Sequence, residues 1–269
     1  MKLHHLRNAT FIIKSGPHSI LVDPMLGDKG SLPPFALFRH KAIRNPIVSL
    51  PENASLLLDK VTACLITHCR TFGIKAFQHT DHLDGTGETF LKSGSIPVTC
   101  PEKDGPYLRK LGLSVEKSLP PWNPTPYKGG KITAIPAQHG YGWVHHLMAN
   151  GAGFFIELPD EPSLYISGDT IFTPEVKRAL TQLQPDIAVV AAGSASLDIG
   201  DSLLMSPEGI LSFIQTAPGK VIANHMEALN HCPTTRTKLK QMIKKVGLEQ
   251  KVWIPEDGEA IESSYFMLL

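Results

Sequence analysis

The chain has 269 residues, of which 42% are hydrophobic and 19% are charged, and its formal net charge is +1. This composition is typical of an ordinary globular protein and excludes a disordered or fibrous chain. The sequence contains no basic run with interleaved aromatic residues and no run of about 18 apolar residues, so nucleic acid and a membrane span are not expected.

The N-terminal residues 1–16 lack an apolar segment followed by a small-residue cleavage site, so we expect a cytoplasmic protein. The four cysteines form no C-x-x-C pair and predict neither a disulfide framework nor a zinc knuckle; they are Cys64, Cys69, Cys100 and Cys232. A small-molecule substrate is the expected partner, and homo-oligomerisation is left open.

The first half of the chain predicts strands that alternate with helices. Residues 10–16 and 19–24, TFIIKSG and SILVDP, flank a Gly-Pro turn and predict a β-hairpin. The apolar run 61–67, VTACLIT, predicts a buried strand, and GTGETFLKSG predicts a helix that stops at a glycine. IPVTC and PYLRKLG continue the alternation as a strand and a helix.

A long proline-rich segment, residues 24–53, separates the hairpin from the next strand. Loops of this length in compact domains are usually functional or disordered. Its apolar side chains favour packing over disorder; they are Leu32, Phe35, Leu37 and Phe38. We therefore expect the segment between Asp23 and Val61 to overhang the site and to select the substrate.

The second half begins near KITAIPAQHG and repeats the alternation. Strands are predicted there and in GAGFFIEL, SLYISGD, DIAVVAA and KVIANH, and helices in PEVKRALTQL, SPEGILSFIQ and PTTRTKLKQMIKKVG. Strands that alternate with helices in two similar portions indicate stacked sheets with helices outside.

Five ionisable residues each follow an apolar strand: Asp23, His68, His139, Asp169 and His225. Aspartate and histidine are common at turns, so one such residue means little. Five of them would place ionisable groups along one edge of a sheet, where loops form sites on a rigid scaffold.

A tight H-x-D-H cluster adds His79, Asp81 and His82 to this set. Imidazole and carboxylate groups are ligands that suit zinc, manganese or iron. The residues alone therefore predict a metal site that keeps coordination positions open for water.

These pieces resemble the metallo-β-lactamase-fold hydrolases. That family carries T-H-x-H-x-D-H at a strand end, then a histidine, an aspartate in a G-D-T context and a last histidine after another strand. The corresponding pieces here are TH at 67–68, HTDHLDG at 79–85, AQHG around His139, SGDT around Asp169 and ANHMEALNH from Ala223. Within the family, the opening RNATFIIKSGPHSILVDPML is similar to the group that includes ascorbate-phosphate lactonases and N-acyl-phosphatidylethanolamine-type phosphodiesterases.

The resemblance implies an α/β (α+β) fold, a four-layer αββα sandwich of two mixed β-sheets flanked by helices. It implies that residues 1–269 form a single metallo-β-lactamase-fold domain built of two similar halves. It also implies two divalent metal ions, zinc foremost and manganese as the other candidate. The implied reaction is attack of a metal-bound hydroxide on an ester-type bond in a lactone or phosphodiester.

The family's ligand roles carry over residue by residue. The first metal would be held by His68, His79 and His139, the second by Asp81, His82 and His225, and the Asp169 carboxylate would bridge the two. Asp81 would also accept a hydrogen bond from the hydroxide and so aim it. Asp23 would support the ligands from outside by hydrogen bonding.

His145 and His146 come soon after His139 and are candidate catalytic residues. One of them would face the substrate as an oxyanion donor or general acid, and the alternative is a solvated loop histidine.

Other polar residues are candidates for substrate contact. Glu227, His231 and Arg236 would line the pocket beside the last ligand histidine, or would cap the helix that follows. Phosphate recognition would need a cation near the metals, and Arg44, Arg70 and Arg236 are candidates without distinction.

The sequence departs from the family pattern between the first two motif histidines. The family places one residue there, whereas ten intervene here, residues 69–78. Gly73 allows a turn, and the apolar residues that would pack the insert against the body are Phe72, Ile74 and Phe77. Because the chain is able to leave and return at one point, an insertion need not separate its ends.

Three alternatives follow from this insertion. His68 coordinates and the insert loops out, or His68 turns away and leaves one strong metal site, or the insert distorts the whole cluster. The near-complete remainder of the motif favours a metal-dependent hydrolase of unknown substrate. A non-catalytic or mononuclear metal-binding relative on the same fold is the alternative.

Overall fold

A computed structural model describes residues 1–69 and 78–263. Within these ranges the strands are β1 (Lys2–Arg7), β2 (Thr10–Ser15), β3 (His18–Val22), β4 (Ala63–Leu65), β5 (Val98–Pro101), β6 (Val115–Leu119), β7 (Thr125–Tyr127), β8 (Gly130–Pro136), β9 (Ala152–Glu157), β10 (Leu164–Ile166), β11 (Ile187–Ala191), β12 (Lys220–Asn224), β13 (Val252–Trp253) and β14 (Ala260–Glu262). The helices are α1 (Ala54–Leu58), α2 (Gly85–Ser93), α3 (Gly105–Lys110), α4 (Pro174–Arg178), α5 (Pro207–Thr216) and α6 (Arg236–Lys245). A π-helical turn, Ala179–Leu183, continues α4, and short 3₁₀ helices cover Val144–His146 and Glu249–Lys251.

The strands form two seven-stranded sheets of mirrored topology. The first sheet has the order β14-β1-β2-β3-β4-β5-β6 and the second has the order β13-β12-β11-β10-β9-β8-β7. In the first sheet, β3 to β6 are parallel and the remaining pairs are antiparallel. In the second, β10 to β13 are parallel and β7 to β10 are antiparallel. Both sheets are therefore mixed, as predicted.

The main hydrophobic core lies between the two sheets. Buried side chains of the first sheet, such as Phe11 and Ile20, belong to one cluster with Phe154 and Ile187 of the second. These residues lie in strands rich in β-branched and aromatic residues, which pack well on a pleated surface. Burial of these faces holds the sheets together and fixes how their edges meet.

The helices cover the outer faces of the sheets. Phe213 of α5 and Leu239 of α6 pack on the second sheet, and Leu91 of α2 and Leu108 of α3 pack on the first. The predicted αββα sandwich is therefore confirmed. None of the helices in the described ranges is long and apolar enough to cross a membrane.

The β2–β3 hairpin forms as predicted, with Ser15 paired to His18 across a two-residue turn. Gly16 has a φ of +50° in this turn, which a residue with a side chain rarely adopts. The predicted long loop is also observed, because residues 24–53 contain a single bridge, Leu32 to Asn45, in place of regular strands. Several short strands escaped the sequence analysis; they are β1, β6, β7, β13 and β14.

Candidate metal centre

The ionisable residues predicted at strand ends meet at one edge of the sandwich. Asp23 directly follows β3, and His68 follows β4 after two residues. His139, Asp169 and His225 follow β8, β10 and β12 of the second sheet. The edge therefore gathers side chains from both sheets, held in place by the core between them.

Seven side chains at this edge form two groups suited to metal ions. The first group is His68, His79 and His139, and the second is Asp81, His82, Asp169 and His225. Within each group the ligand atoms lie within 4.8 Å of one another. All of these residues are buried apart from His79, which is partly buried.

Asp169 lies between the groups. Its Oδ2 atom is 3.1 Å from His82 Nε2 and 3.4 Å from His225 Nε2, both in the second group. The same oxygen is 3.6 Å from Nε2 of His139, in the first group. This is the position that a bridging carboxylate requires.

In two histidines, His82 and His68, a hydrogen-bond acceptor next to Nδ1 fixes the tautomer. Nδ1 of His82 lies 3.0 Å from Oδ2 of Asp23. The Thr67 hydroxyl donates to the same Asp23 oxygen, so its own oxygen is left to accept from Nδ1 of His68 at 3.0 Å. In both imidazoles the Nε2 lone pair then points towards the group.

At two further ligand histidines, His139 and His225, Nδ1 contacts a carbonyl and a thiol. Nδ1 of His139 donates to the Leu203 carbonyl at 3.0 Å, which again leaves Nε2 as the lone-pair nitrogen. Nδ1 of His225 lies 3.7 Å from Sγ of Cys232. Asn150 accepts a hydrogen bond from the His139 amide and so fixes the backbone of that ligand.

Burial keeps the first group neutral. It lowers the pKa of His79 to about 3 and lowers the pKa of His68 and of His139 below the ordinary value. Removal from water disfavours the charged imidazolium, and the neighbouring histidines add to the effect at His68. Three neutral imidazoles are the form that binds a metal ion.

In the second group, the carboxylates and the imidazoles shift each other's pKa in favour of the charged forms. Burial acts to lower the pKa of His82 and of His225, but the Asp169 carboxylate raises both well above the ordinary value. Burial acts to raise the pKa of Asp81 and of Asp169, but the neighbouring histidines hold both well below the ordinary value. A bound cation would replace the imidazole protons here, because ligands bind in deprotonated form.

Orphaned polar atoms test whether the residues fit a metal. Within residues 1–69 and 78–263, buried atoms without a hydrogen-bond partner include Nε2 of His68, His82 and His225 and Oδ1 of Asp169. Buried polar atoms are normally paired, so these four need a partner that the described residues do not supply. Imidazole nitrogens and carboxylates are ligands that suit zinc or manganese, so the residues of both groups fit the implied metals.

The insertion does not displace His68. The His79 amide donates to the Cys69 carbonyl at 3.1 Å, and the His68 and His79 rings are 4.8 Å apart. The two described ends of the insertion therefore lie side by side, and His68 stays next to His79. Residues 70–77, which include Arg70, Phe72, Gly73, Ile74 and Phe77, lie outside the described residues.

His145 and His146 lie outside both ligand groups. They form the end of a 3₁₀ helix, where their ring centroids lie 3.8 Å apart with the ring planes tilted by 40°, and His145 is partly buried and His146 exposed. The structure therefore does not bring either ring among the ligands, and their catalytic role stays a prediction.

Glu227 and Arg236 interact with each other. Arg236 Nη1 donates to Glu227 at 2.6 Å, Nη2 donates to Asp257 at 2.5 Å, and Nε donates to the Pro255 carbonyl. Glu227 also accepts from the Arg236 amide at the start of α6, which is the capping role that the sequence left open. His231 is instead buried beside the Phe35 ring, with centroids 5.2 Å apart.

Sequence reasoning missed several supporting groups. Thr67, the Leu203 carbonyl and Asn150 each contact a ligand histidine, yet only the T-H pair at 67–68 gave any signal. Leu203 and Asn150 lie far from the ligands in sequence, so folding alone brings them there.

Comparisons with known proteins agree with this site. A family model described as a beta-lactamase superfamily domain matches residues 18–226. UPF0173 protein YddR from Bacillus subtilis (strain 168) is 32% identical over 263 residues, which cover 97% of this chain and 99% of the relative.

Two solved structures are similar over nearly their whole length. An isothiocyanate hydrolase from Delia radicum gut bacteria has a TM-score of 0.84 and 29% identity, covering 97% of this chain and 99% of that one. A possible metal-dependent hydrolase from Veillonella parvula DSM 2008 has a TM-score of 0.85 and 28% identity, covering 97% and 98%. With the sandwich, the two ligand groups and an end-to-end relative in agreement, this chain belongs to the beta-lactamase superfamily and is one of its metal-dependent hydrolases.

Proposed function

We propose that the protein binds two divalent metal ions and hydrolyses a small, uncharged substrate at an electrophilic carbon. His68, His79 and His139 would hold the first ion, Asp81, His82 and His225 the second, and Asp169 would bridge them. The observation that carries this proposal is the pair of adjacent ligand groups with Asp169 between them. Zinc is the expected metal, and manganese is the other candidate, because imidazole and carboxylate ligands suit both.

When bound, the metals lower the pKa of coordinated water to about 7 and polarise the substrate, so that hydroxide is available at neutral pH. The residues of the chain supply orientation. Asp81 is the most open of the second group's side chains, at 10% exposed against 2% for Asp169 and 0% for His225. This exposure supports the proposal that its carboxylate accepts a hydrogen bond from the attacking water and holds it in line with the substrate.

The predicted ester-type bond divides into carboxylic esters, such as lactones, and phosphodiesters. Arg44 uses its guanidinium on the carbonyls of Gly30 and Ser31, and Arg236 is paired with acidic side chains. Both described candidates for phosphate recognition thus have other partners, and Arg70 lies outside the described residues. A lactone or other neutral ester is accordingly the favoured ester substrate.

An isothiocyanate is the second candidate, favoured by the isothiocyanate hydrolase that is 29% identical over 97% of this chain. Water would add to the central carbon of R–N=C=S, and the product would break down to the amine R–NH₂ and carbonyl sulfide. Lactones and isothiocyanates both present an uncharged, electrophilic carbon, so one site is able to serve either.

The test is a substrate panel with metal analysis. The purified protein is stripped with a chelator, reloaded with zinc or manganese, and assayed on a lactone, an aryl isothiocyanate and bis(p-nitrophenyl) phosphate. We expect two metals per chain, with hydrolysis of one neutral substrate that is lost on chelation and restored by metal. Asp169→Asn should abolish it, whereas Asp186→Asn, an exposed carboxylate at the start of β11, should not.

Other results would contradict the proposal in distinct ways. One metal per chain would point to the mononuclear relative. Two metals without hydrolysis of any of the three substrates would point to a non-catalytic relative, and turnover of the phosphodiester alone would overturn the substrate assignment.

A further inference from the structure

His231 is buried beside the metal centre without belonging to it. It lies six residues after His225 in the loop between β12 and α6, and it is 4% exposed. Neither ligand group includes it. Its Nδ1 atom is buried and has no hydrogen-bond partner within the described residues.

The backbone places His231 beside the second ligand group. The next residue, Cys232, has its Sγ atom 3.7 Å from Nδ1 of the ligand His225. Burial lowers the pKa of His231 to about 4, so its imidazole is neutral, with one N–H donor and one acceptor nitrogen.

The ring is held in place by the loop of residues 24–53. Phe35 meets His231 edge to face, at 5.2 Å between centroids and an interplanar angle of 81°. The side chain of Asn230 accepts from the Phe35 amide at 2.9 Å and donates to the Ala36 carbonyl at 2.7 Å. The residue next to His231 thus fixes the aromatic ring that packs on it.

A purely structural role for His231 does not explain why its Nδ1 atom lacks a partner among the described residues. A buried structural imidazole normally pairs its nitrogens with the protein. Within residues 1–69 and 78–263, the bond recorded for His231 is made by its backbone, whose carbonyl accepts from the Ser196 amide. In this part of the chain, Nδ1 of His231 thus resembles the Nε2 atoms of His68, His82 and His225, which are also buried without a partner.

We propose that His231 is a catalytic residue that donates a hydrogen bond to the substrate heteroatom that gains negative charge when hydroxide adds, while Phe35 contacts the substrate's apolar part. This inference rests on the proposed function and deepens it. The heteroatom is the carbonyl oxygen of a lactone, or the nitrogen or sulfur of an isothiocyanate. The imidazole keeps its proton throughout, so it stabilises charge without proton transfer.

The substrate class follows from the same residues. A neutral donor and an aromatic ring favour an uncharged molecule that carries a heteroatom at the reacting carbon and an apolar group beside it. Phe35→Ala should therefore raise KM for substrates with an aryl group more than for those without one.

The test compares His231→Leu, which removes the hydrogen bond, with His231→Gln, which keeps a donor. On the zinc-loaded protein we expect His231→Leu to lower kcat about 10²-fold to 10³-fold, as for loss of one oxyanion donor. Metal content should stay at the wild-type value, and His231→Gln should recover much of the loss. His18→Leu, on the distant β2–β3 hairpin, is the matched control.

A binding measurement gives a readout that does not depend on turnover. Calorimetric titration with phenylacetamide, an uncharged carbonyl compound with a phenyl group, should show weaker affinity for His231→Leu than for the wild type and for His18→Leu. If the wild type turns over none of the panel but this loss of affinity is seen, the contact of His231 with the ligand stands and the proposed function on a neutral substrate fails.

The reverse result would overturn the inference about His231 and leave the proposed function intact. Wild-type kcat and phenylacetamide affinity in His231→Leu would show that the ring does not contact the substrate. Loss of metal from both His231 variants would show a ligand or structural role instead.

Discussion

Four histidines of the metal centre have different hydrogen-bond partners at Nδ1, and these partners determine how strongly each ring is oriented. His82 faces the Asp23 carboxylate, His68 the Thr67 hydroxyl and His139 a backbone carbonyl. Nδ1 of His225 faces the Cys232 thiol, a weak hydrogen-bonding group. The carboxylate should make His82 the most basic of these ligands, because a charged acceptor strengthens the bond from Nδ1.

Asp23 orients two ligand histidines, one of them through Thr67. Its carboxylate also accepts from the Thr67 amide at 2.8 Å and from the Thr67 hydroxyl at 2.7 Å. It therefore orients His82 directly and His68 through Thr67. The family resemblance implied a supporting role for Asp23, and that role stays a prediction.

We expect Asp23→Asn to weaken metal binding by about 10-fold to 100-fold, the usual effect of losing such a partner. The amide of asparagine cannot accept from all three donors at once. Competition with a chelating dye measures the affinity, and Asp28→Asn, an exposed carboxylate on the next loop, is the control. Equal affinity in the wild type and Asp23→Asn would contradict this expectation.

At the scale of elements, the loop before β9 positions His68. A Cβ atom at Gly151 would lie 2.3 Å from the Thr67 carbonyl oxygen and 2.4 Å from Cβ of His68. The Ala152 amide donates to the same carbonyl at 3.0 Å, so the two segments are tied at this distance. Only glycine allows the second sheet to approach His68 so closely.

Gly151→Ala should therefore push His68 away from His79 and His139. We expect the metal content to fall from two ions to one per chain, with the second group still loaded. Elemental analysis of the purified variant measures this. Gly85→Ala is the control, because a Cβ atom there meets nothing within 4 Å; two metals in Gly151→Ala would show that His68 tolerates the shift.

The side chain of Asp198 clamps the loop of residues 24–53 through three backbone amides. Its carboxylate accepts from the amides of Leu37, Phe38 and Arg39 at 2.8–3.0 Å. The bonds from the Arg39 and Phe38 amides favour the ionised form and lower the pKa of Asp198. The clamp is thus present at neutral pH and is lost only as the pH falls through this lowered folded-state pKa.

Asp198→Ala should release this part of the loop. Amide hydrogen exchange at residues 37–39 should become faster, while metal content stays unchanged, because the ligand groups do not depend on Asp198. Mass spectrometry of the exchanged peptides measures the effect, with Asp201→Ala in the same loop as the control. Unchanged exchange would mean that other contacts hold the loop.

At the scale of the whole molecule, the metal centre joins the two sheets. His68, His79, Asp81 and His82 follow strands of the first sheet, and His139, Asp169 and His225 follow strands of the second. Each ligand group contains residues from both sheets. Metal binding should therefore stabilise the packing of one sheet on the other.

We expect zinc to raise the melting temperature of the chelated protein by about 5–10 °C, since free metal at one hundred times Kd contributes about 2.7 kcal/mol. Differential scanning calorimetry of the stripped and reloaded protein tests this. Asp169→Asn, which removes the carboxylate between the groups, should show a smaller rise. No rise in the wild type would mean that the native state does not bind metal preferentially.

Much of this organisation could be predicted from the sequence because its signals are local. The hairpin, the apolar strands and the H-x-D-H cluster each lie within a few residues, and the resemblance to a known family supplied the sandwich. The short strands β7 and β13 could not be predicted, because they are held by pairing with neighbours rather than by their own two or three residues.

By itself the sequence determined which side chains are able to bind metal and that they follow strands, because residue type and the periodicity of apolar residues are local properties. Tertiary structure alone decided that His68 returns to His79 across the insertion, that Arg236 pairs with Glu227 rather than facing a phosphate, and that His231 lies under Phe35. These contacts join residues from separate loops, and only the packing of the two sheets sets the distances between them.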